Sequence, residues 1–555
     1  MNFLRNLIQL LIARPDYWPV AFWVPVFLAL WVWARLSDRS LELKRIQWGW
    51  LAAGWLTLAA FACFWAIHLL SPIYLGPIQP QVAEVSWYFA EGKPVYHSPS
   101  AGEVYNMLYG PYLYIITGWF EKYLGPGDFS FKLPGALAVV FALLLLVWHL
   151  RSRVGLKLAV FGTSLFTALI LALNPEELFS RADVFIVLSV VVGCWAAFSQ
   201  AKFAPVVLGA ALGACVNLKV HALVYFIPLL WVAGQTGYRK KSWLAMVVAA
   251  GVVAVAPFLL FSNISLANYF WTLQVASGQG INPLNYFRLL ETFFSLGAPL
   301  AVAVLLAYRQ NPRAVLAGLR TQKNFIIFLL AEFILLLVPA SKYGAGLHHL
   351  LPLAVLLIVL GAELYAVGVR PSWDGSLAAS AAMAVIFSWL ACCLGIGLVR
   401  SYQNARYLQS RVAWARSVEA DLDQIAARYG SQNILLMGSS DNAHYDYAYF
   451  RPTLVYAGQP IGFDPCGLME REFPGSPVPE LPELSAALAQ NYPDKKIIWV
   501  VPKDGEPFTV TSYFAKWENN AYLPNPPAYS DKFRASFFAQ NTKFATTQYY
   551  DLYRE

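Results

Sequence analysis

The chain has 555 residues and a formal net charge of +8; 58% of its residues are hydrophobic and only 13% are charged. Soluble domains carry roughly 25% charged residues, so this composition excludes an ordinary soluble protein. The basic residues lie in short links between apolar runs, a distribution that membrane topology explains without a nucleic-acid partner.

The first segment, residues 1–17, is predicted to be an amphipathic helix that lies in the membrane interface. The stretch "MNFLRNLIQLLIARPDYW" has no small-residue cleavage site after its apolar part. We therefore expect it to be retained and not removed as a signal peptide.

Apolar runs of about 20 residues, long enough to cross a bilayer as helices, recur through residues 18–399. About twelve transmembrane helices are predicted, at 18–36, 48–70, 131–150, 156–174, 183–200, 204–217, 221–236, 243–262, 286–308, 324–340, 347–367 and 376–399. We expect these helices to form one all-α polytopic membrane domain.

The charges of the links fix the predicted orientation. When alternate links are assigned to the cytoplasm, those links hold sixteen Lys and Arg residues and the opposite links hold five. The positive-inside rule then places the N-terminus and residues 400–555 outside, which in a bacterium is the periplasmic side of the inner membrane.

A long external loop, residues 71–130, is rich in Tyr, Gly and Pro. Its stretch "YNMLYGPYLYIITGWFEKYLG" is apolar and aromatic but is interrupted by Gly110-Pro111, which favours a helix lying in the interface. The alternative, one more transmembrane span, would invert every later span. Earlier in the loop, Gln81, Glu84, Tyr88 and Glu91 share one helical stripe, which either lines a cavity or touches water.

Two predicted spans, 204–217 and 221–236, are short for a full crossing and flank Lys219. Short helices leave a notch in the membrane surface, and polar backbone at depth persists only beside protein or a watery cavity. A lone lysine at this place has little room to extend to the headgroups, which favours a function for it.

The sequence changes character at about residue 400. The stretch "RYLQSRVAWARSVEADLDQIAARYG" has helical spacing and ends at Gly430. "NILLMGSS" and "KKIIWVVP" are typical of buried strands, with "LPELSAALAQNY" as a helix between them. Residues 400–555 are therefore predicted to form a small α/β domain.

Charged residues at or within the membrane are costly, so each one is a candidate for function. On the predicted outer side they fall in the first loop, in "NPEELFSRAD", in "NLKVH" and in "SKYGAGLHHLLP". The carboxylates in these segments are Glu84, Glu91, Glu103, Glu176, Glu177 and Asp183, and the basic groups are Arg181, Lys219, His221, Lys342, His348 and His349. Carboxylates facing cations suit transfer from a lipid-linked phosphate, with a base for the acceptor hydroxyl and cations for the departing phosphate.

Each candidate also has a simpler interpretation. Glu84 is equally consistent with a solvated interfacial residue, and Arg181 with an anchor in the headgroups. The pair His348-His349 is consistent with interface histidines, and without a nearby carboxylate motif a metal site there is not expected.

Four stretches together resemble the glycosyltransferase-C superfamily, in particular bacterial members of the protein O-mannosyltransferase and aminoarabinose transferase kind. These stretches are "EVSWYFAEGKPVY", "YGPYLYIITGWFEKYLGPGDFSFKLPGAL", "SRADVFIVLSVVVG" and "LGAALGACVNLKVHALVYFIPLL". Their order and spacing over residues 48–400 carry the resemblance. The additional leading span, 18–36, departs from the pattern.

The resemblance implies a polyprenyl-phosphate sugar donor, inversion at the anomeric carbon and an acidic base in the first loop. That base would align nearest Gln79–Gln81, where this chain has no carboxylate. The candidates for the base are therefore Glu84, Asp183 and Glu103, in that order. The alternative is that the chain is catalytically silent. The residues implied to hold the donor phosphate are Lys219, His221, Arg181, Lys342 and His348. Those implied to line the sugar or lipid are Tyr88, Tyr96, Tyr109 and Tyr112, for which an aromatic belt is the alternative.

Two functions follow as hypotheses. The first is an inner-membrane glycosyltransferase that moves a sugar from a polyprenyl-phosphate carrier to a glycan, lipid or protein acceptor on the periplasmic side. The second is a non-catalytic polyprenyl-lipid binding protein or transporter of the same architecture, although no inverted repeat is visible in the sequence. Neither hypothesis requires a cofactor, and the sequence leaves open whether a divalent metal is bound.

Overall fold

The computed structural model describes residues 43–74, 78–105, 109–173, 180–278, 280–342, 345–369, 377–440, 448–464, 467–468, 471, 480–503, 505–508 and 529–555. The predicted helix 1–17, the span 18–36 and the carboxylates Glu176 and Glu177 lie outside these residues.

Fourteen helices make up the membrane part and the outer loops of the described chain. They are α1 (Leu43–Leu70), α2 (Ile78–Ala90), α3 (Pro111–Leu124), α4 (Asp128–Val154), α5 (Leu156–Leu173), α6 (Ala182–Phe198), α7 (Ala204–Val216), α8 (Ile227–Gln235), α9 (Lys240–Leu260), α10 (Leu266–Ser277), α11 (Pro283–Gln310), α12 (Pro312–Ala340), α13 (Leu351–Leu364) and α14 (Leu377–Tyr429). Short 3₁₀ turns, Val220–Phe226 and Leu347–Leu350, precede α8 and α13, and a π turn, Tyr365–Val369, follows α13.

Eleven of the twelve predicted spans coincide with helices, and the twelfth, 18–36, is not described. Seven described helices are long and apolar enough to cross a membrane. Three more predicted spans are shorter apolar helices, at Ala182–Phe198, Ala204–Val216 and Val220–Gln235. The last, 376–399, forms the first part of α14.

The short helix α7 packs very closely against α9. A Cβ atom built on Gly209 would lie 2.1 Å from the carbonyl oxygen of Met246, and one on Gly213 would lie 2.4 Å from that of Ala250. Glycines four residues apart on one face let two helix backbones approach in this way. This packing fixes the end of α7, where the link to the next turn begins.

Three helices, α2, α3 and α10, lie in the connections on one side of the membrane domain. The 14 residues of α3 span about 21 Å, less than the roughly 30 Å of a bilayer core. This length favours the interfacial interpretation over an additional transmembrane span. Helix α10 was not predicted from the sequence.

The C-terminal domain begins within a helix that it shares with the membrane domain. Helix α14 has 53 residues and runs through the predicted boundary at residue 400, ending before Gly430 as the sequence predicted. The domain also contains α15 (Arg451–Tyr456), α16 (Leu481–Asn491) and α17 (Asp531–Gln540).

A four-stranded sheet forms the centre of this domain. Its strands are β1 (Asn433–Met437), β2 (Lys496–Pro502), β3 (Thr542–Thr546) and β4 (Tyr550–Arg554), in the order β1-β2-β4-β3. Strands β1 and β2 are parallel, whereas β4 is antiparallel to both β2 and β3.

The two faces of the sheet are buried against different helices, as the two-residue period of a strand requires. Leu435 and Met437 pack with residues of α14, whereas Ile434 and Leu436 pack with residues of α16 and α17. The predicted architecture, an all-α membrane domain followed by a small α/β domain, is confirmed.

Candidate functional site

Lys219 lies in the link between α7 and the following 3₁₀ turn and makes a buried ion pair. Its Nζ donates hydrogen bonds to both carboxylate oxygens of Asp183, at 2.8 and 3.0 Å. Lys219 is 9% exposed and Asp183 is 2% exposed. Asp183 belongs to the first turn of α6, where a helix N-terminus favours a negative charge, and Arg181 is the N-cap residue.

Three histidines gather beside this pair. His221 Nε2 lies 3.2 Å from His349 Nδ1, and the ring centroids of His348 and His349 are 4.5 Å apart. One ligand atom each from Asp183, His348 and His349 lies within 4.8 Å of the others. We call Arg181, Asp183, Lys219, His221, His348 and His349 the Lys219 cluster.

The Lys219 cluster has more positive than negative charge. Two residues that carry full positive charges, Arg181 and Lys219, act on Asp183, and both also act on His348. In a buried setting such charges interact more strongly than in water. The arrangement is suited to an anion.

The first loop closes over the link that carries Lys219. The backbone N–H groups of Gly110 and Tyr112 donate to the carbonyls of Leu218 and Asn217, at 3.0 and 3.3 Å. A Cβ atom on Gly110 would lie 2.1 Å from the carbonyl oxygen of Asn217, so only glycine permits this approach. In the sequence, Gly110 stands out only as an interruption of a helix.

The chemistry of Asp183, His348 and His349 matches the nitrogen and oxygen ligands that zinc prefers. The sequence shows no carboxylate motif near His348-His349, and the fold supplies Asp183 from a different loop. However, the ammonium of Lys219 already lies against both oxygens of Asp183. A metal at this place therefore requires Lys219 to move.

Glu84 is not part of the Lys219 cluster in the described structure. Its Oε1 accepts a hydrogen bond from Arg451 Nε at 2.7 Å, and Arg451 Nη2 donates to Asp464 Oδ1 at 3.0 Å. Burial raises the pKa of the Glu84 carboxyl, and the Arg451 guanidinium acts in the opposite direction by favouring its charged form. Three members of the predicted polar stripe, Gln81, Glu84 and Tyr88, are buried in protein, whereas Glu91, just after α2, is exposed.

Sequence reasoning missed Arg451 and Asp464. The available signal was a lone arginine in the apolar stretch "YFRPTLVY", since a charge in such a run needs a partner. The identity of that partner was not readable, because Glu84 and Arg451 are 367 positions apart.

Glu103 occupies a third place. It is half-buried and interacts with Tyr88, Tyr105 and Lys93. Burial raises the pKa of its carboxyl to about 7, with Lys93 acting in the opposite direction. No hydrogen bond or ion pair of the described residues joins Glu103 to Lys219.

Lys342 is engaged in supporting the fold. Its Nζ donates to the carbonyl oxygens of Ala276 and Ser277, at 3.0 and 3.1 Å. These carbonyls lie in the last turn of α10, where a positive charge is favourable. Lys342 therefore fixes the end of α10.

Of the four predicted tyrosines, Tyr88, Tyr96 and Tyr109 are buried, and Tyr112 is half-buried. Tyr96 donates its hydroxyl proton to the carbonyl of Tyr109 at 2.8 Å, and the Tyr109 ring centroid lies 5.2 Å from Lys219 Nζ. Tyr112 donates to the carbonyl of Val253 at 2.7 Å. The hydroxyl of Tyr88 accepts a hydrogen bond from the backbone of the C-terminal domain. Of the four, Tyr109 has a direct contact with Lys219.

No protein-family model and no curated protein matches the chain. Among solved structures, ArnT from Cupriavidus metallidurans bound to undecaprenyl phosphate matches with a TM-score of 0.49 and 13% identity, over 90% of this chain and 98% of that chain. Its apo state matches with a TM-score of 0.47 and 12% identity, over the same 90% and 98%. An oligosaccharyltransferase from Archaeoglobus fulgidus, in complex with Zn and sulfate, matches with a TM-score of 0.35 and 12% identity, over 80% and 68%.

These are the proteins that the chain resembles. The resemblance found in the sequence pointed to the same kind of protein. At these identities and TM-scores the likeness carries no argument about chemistry, so a functional proposal has to come from the arrangement of the Lys219 cluster.

Proposed function

We propose that the chain is a membrane glycosyltransferase that moves a sugar from a polyprenyl-phosphate donor to an acceptor hydroxyl. Transfer takes place on the side of the membrane where the C-terminal domain lies, which is the periplasmic side of a bacterial inner membrane. The observation that carries the proposal is the buried Asp183–Lys219 pair, with Arg181 and three histidines around it.

The donor needs a phosphate site beside a route for its hydrocarbon tail. Lys219 lies between the 13-residue helix α7 and a 3₁₀ turn, at the end of apolar helices. The polyprenyl chain remains in the bilayer beside these helices while Lys219 and Arg181 hold the phosphate. Nitrogens of the neighbouring histidines provide further hydrogen bonds.

The transfer forms one bond and breaks one. The acceptor oxygen bonds to the anomeric carbon while the bond from that carbon to the donor phosphate breaks, and the phosphate oxygen keeps the electron pair. Asp183 accepts the hydroxyl proton, and Lys219 moves from Asp183 toward the departing phosphate. Attack opposite the leaving group inverts the anomeric carbon.

A specific observation favours a second candidate, which is carrier binding without transfer. Glu84, the carboxylate ranked first from the sequence, is 0% exposed and is held by Arg451. It is therefore closed to an acceptor hydroxyl in this arrangement, and Asp183, which is 2% exposed, becomes open only when Lys219 moves away from it. If Asp183 serves only to hold Lys219, the chain binds the carrier and catalyses nothing.

Purified protein in lipid nanodiscs, incubated with labelled polyprenyl-phosphate sugars and candidate acceptors, separates the two functions. We expect Asp183→Asn to lower transfer at least a hundredfold and to retain undecaprenyl-phosphate binding, because an amide oxygen still accepts from Lys219. The exposed-site control Asp423→Asn leaves transfer unchanged.

Normal transfer by Asp183→Asn would move the base to another carboxylate, which Glu84→Gln and Glu103→Gln then identify. Carrier binding by the wild-type chain without transfer from any donor would favour the second candidate.

A further inference from the structure

One segment of the C-terminal domain, residues 448–464, packs against the first outer loop. We call it the clasp segment. It contains α15, and its side chains meet both loop helices, α2 and α3. Five of its hydrogen bonds are made with residues more than 300 positions earlier in the chain, so the two parts meet only through folding.

The strongest contact is a buried ionic triad. Arg451 of the clasp segment is 3% exposed, and its partners Glu84 and Asp464 are 0% and 1% exposed. A guanidinium that is enclosed this far needs its carboxylate partners, because an uncompensated buried charge is strongly unfavourable. The triad therefore holds α2 and the clasp segment together.

Two further side-chain contacts reinforce the triad. The Tyr456 hydroxyl donates to Glu121 Oε1 on α3 at 2.9 Å, and its ring meets Trp87 on α2 edge to face at 5.9 Å. The clasp segment thus binds α2 and α3 at once.

Backbone groups extend the contact along the loop. The N–H of Ile461 donates to the Tyr88 hydroxyl at 2.7 Å. Val104 and Phe463 form a parallel bridge: Val104 N–H donates to the Gly462 carbonyl, and Asp464 N–H donates to the Val104 carbonyl, both at 2.9 Å. The loop is therefore attached to the clasp segment at Tyr88 and at Val104.

The loop approaches Lys219 through Tyr96, which lies between these two attachment points, and through Tyr109 and Gly110, which follow them. Tyr96, six residues after α2, donates to the carbonyl of Tyr109, and the Tyr109 ring lies over Lys219. The next residue, Gly110, bonds to the link that carries Lys219. Arg451 is therefore connected to the Lys219 cluster through Glu84, the chain from α2 to Tyr96, and the contacts of Tyr96 and Tyr109.

We propose that Arg451 is a positioning residue for glycosyl transfer: by holding Glu84 it fixes the first loop over the Lys219 cluster, so that the C-terminal domain completes the transfer site. This inference rests on the proposed function. Arg451 acts through the loop, and it touches neither donor nor acceptor.

The test compares Arg451→Met with Arg416→Met, which removes an exposed arginine of α14. The full-length variants are examined in nanodiscs for kcat, for the Kd of undecaprenyl phosphate and for amide hydrogen exchange over residues 78–105. We expect Arg451→Met to lower kcat at least tenfold, to change the Kd less than threefold and to raise exchange in the loop. Arg416→Met changes none of the three.

Two more variants separate positioning from a general loss of folding. Arg451→Lys keeps the charge but reaches only one carboxylate well, so we expect a kcat between those of Arg451→Met and the wild type. In Glu84→Gln/Arg451→Met, one of the two carboxylates left without the guanidinium is removed, so the melting temperature recovers in part while kcat stays low.

Two results would overturn the proposal: a folded Arg451→Met chain with wild-type kcat, or one with wild-type exchange over residues 78–105. If even the wild-type chain transfers no sugar, the proposed function fails, and the exchange experiment alone still decides whether Arg451 fixes the loop.

Discussion

Lys219 shows how a single charged residue can stand out through its apolar setting alone. The flanking short helices give it little room to reach the headgroups, so it needs a partner within the protein. The sequence offered several carboxylates, and the fold chose Asp183, 36 positions earlier. Because both side chains are buried, removing either one leaves the other as a buried charge without a partner, which lowers stability.

We expect Lys219→Met to destabilise the protein by about 3 kcal/mol, because it leaves Asp183 buried without its ammonium partner. Undecaprenyl-phosphate binding should fall at least tenfold. Thermal melting and lipid-binding titrations measure the two effects. Lys122→Met, at an exposed position of α3, is the matched control and should change stability by less than about 0.5 kcal/mol.

The double variant Lys219→Met/Asp183→Asn distinguishes pairing from phosphate binding. Its stability should recover most of the loss, since no unpaired charge remains, while lipid binding stays weak. Recovery of lipid binding together with stability would contradict the role assigned to Lys219.

Glu103 gives a prediction for pH. Because the pKa of its carboxyl is raised to about 7 in the folded chain, the folded state holds a proton that the unfolded state releases near the ordinary value of 4.5. The stability contributed by this group is therefore present at low pH and is lost as the pH rises from about 4.5 through about 7.

Melting temperatures of wild type and Glu103→Gln between pH 4.5 and pH 8 check this sign. Glutamine cannot ionise, so the wild type should lose stability relative to Glu103→Gln as the pH rises, with little further change above about pH 8. A difference that stays constant would show that Glu103 is solvated, and one that changes in the opposite direction would show that folding lowers the pKa of its carboxyl.

At the scale of elements, the site depends on how closely backbones approach. The loop before α3 meets the link after α7 at Gly110, and α7 meets α9 at Gly209 and Gly213. Each approach brings a backbone carbonyl to a place that a side chain would otherwise occupy. The length of α7 and these glycines together determine where Lys219 lies.

Gly110→Ala should destabilise the protein by about 1–3 kcal/mol, because the new Cβ overlaps the carbonyl oxygen of Asn217. Carrier binding should weaken as well, since the link moves with Lys219. Gly251→Ala is the control: it lies in α9, nothing lies within 4 Å of its added Cβ, and alanine favours helix. Equal melting temperatures and lipid affinities for the two variants would contradict the close approach at Gly110.

At the scale of the whole molecule, the contact between the clasp segment and the first loop determines sidedness. Glu84 and Arg451 can pair only if the loop and the C-terminal domain lie on one side of the membrane. The count of basic residues in the links predicts the same arrangement. Two independent observations thus support one topology.

Labelling of intact cells whose outer membrane has been made permeable tests this topology. A membrane-impermeant maleimide should label Lys122→Cys and Lys532→Cys, in the first loop and the C-terminal domain, above the level of the unsubstituted chain. Lys157→Cys and Lys241→Cys, in predicted cytoplasmic links, should react only after lysis. Labelling of Lys122→Cys and Lys532→Cys from opposite sides would be incompatible with the clasp.

Two strands of the C-terminal domain, β3 and β4, were not predicted from the sequence. Strands β1 and β2 are continuous apolar runs, since both of their faces are buried, and the sequence revealed them. Strand β3 lies at the edge of the sheet, and none of its residues is fully buried, so its sequence, "TKFAT", shows little hydrophobic pattern. Strand β4 alternates burial over only five residues, too few for a distinct signal.

The sequence by itself determined the features that depend on whether a segment lies in lipid or in water. Long apolar runs must cross a bilayer as helices, basic links select one side, and a lysine between two short helices needs a partner. These are properties of neighbouring residues and their surroundings. They were enough to identify the membrane domain, and they predict its orientation and a role for Lys219.

Only the tertiary structure decided which charges meet. Asp183, and not Glu84, pairs with Lys219, and Glu84 pairs with an arginine of the distant C-terminal domain. The energy of an ion pair depends on distance and burial, and neither is encoded by spacing along a chain that crosses the membrane between the two partners. The sequence therefore ranked Glu84 first as the base, whereas in the structure Glu84 lies in the contact between the first loop and the C-terminal domain.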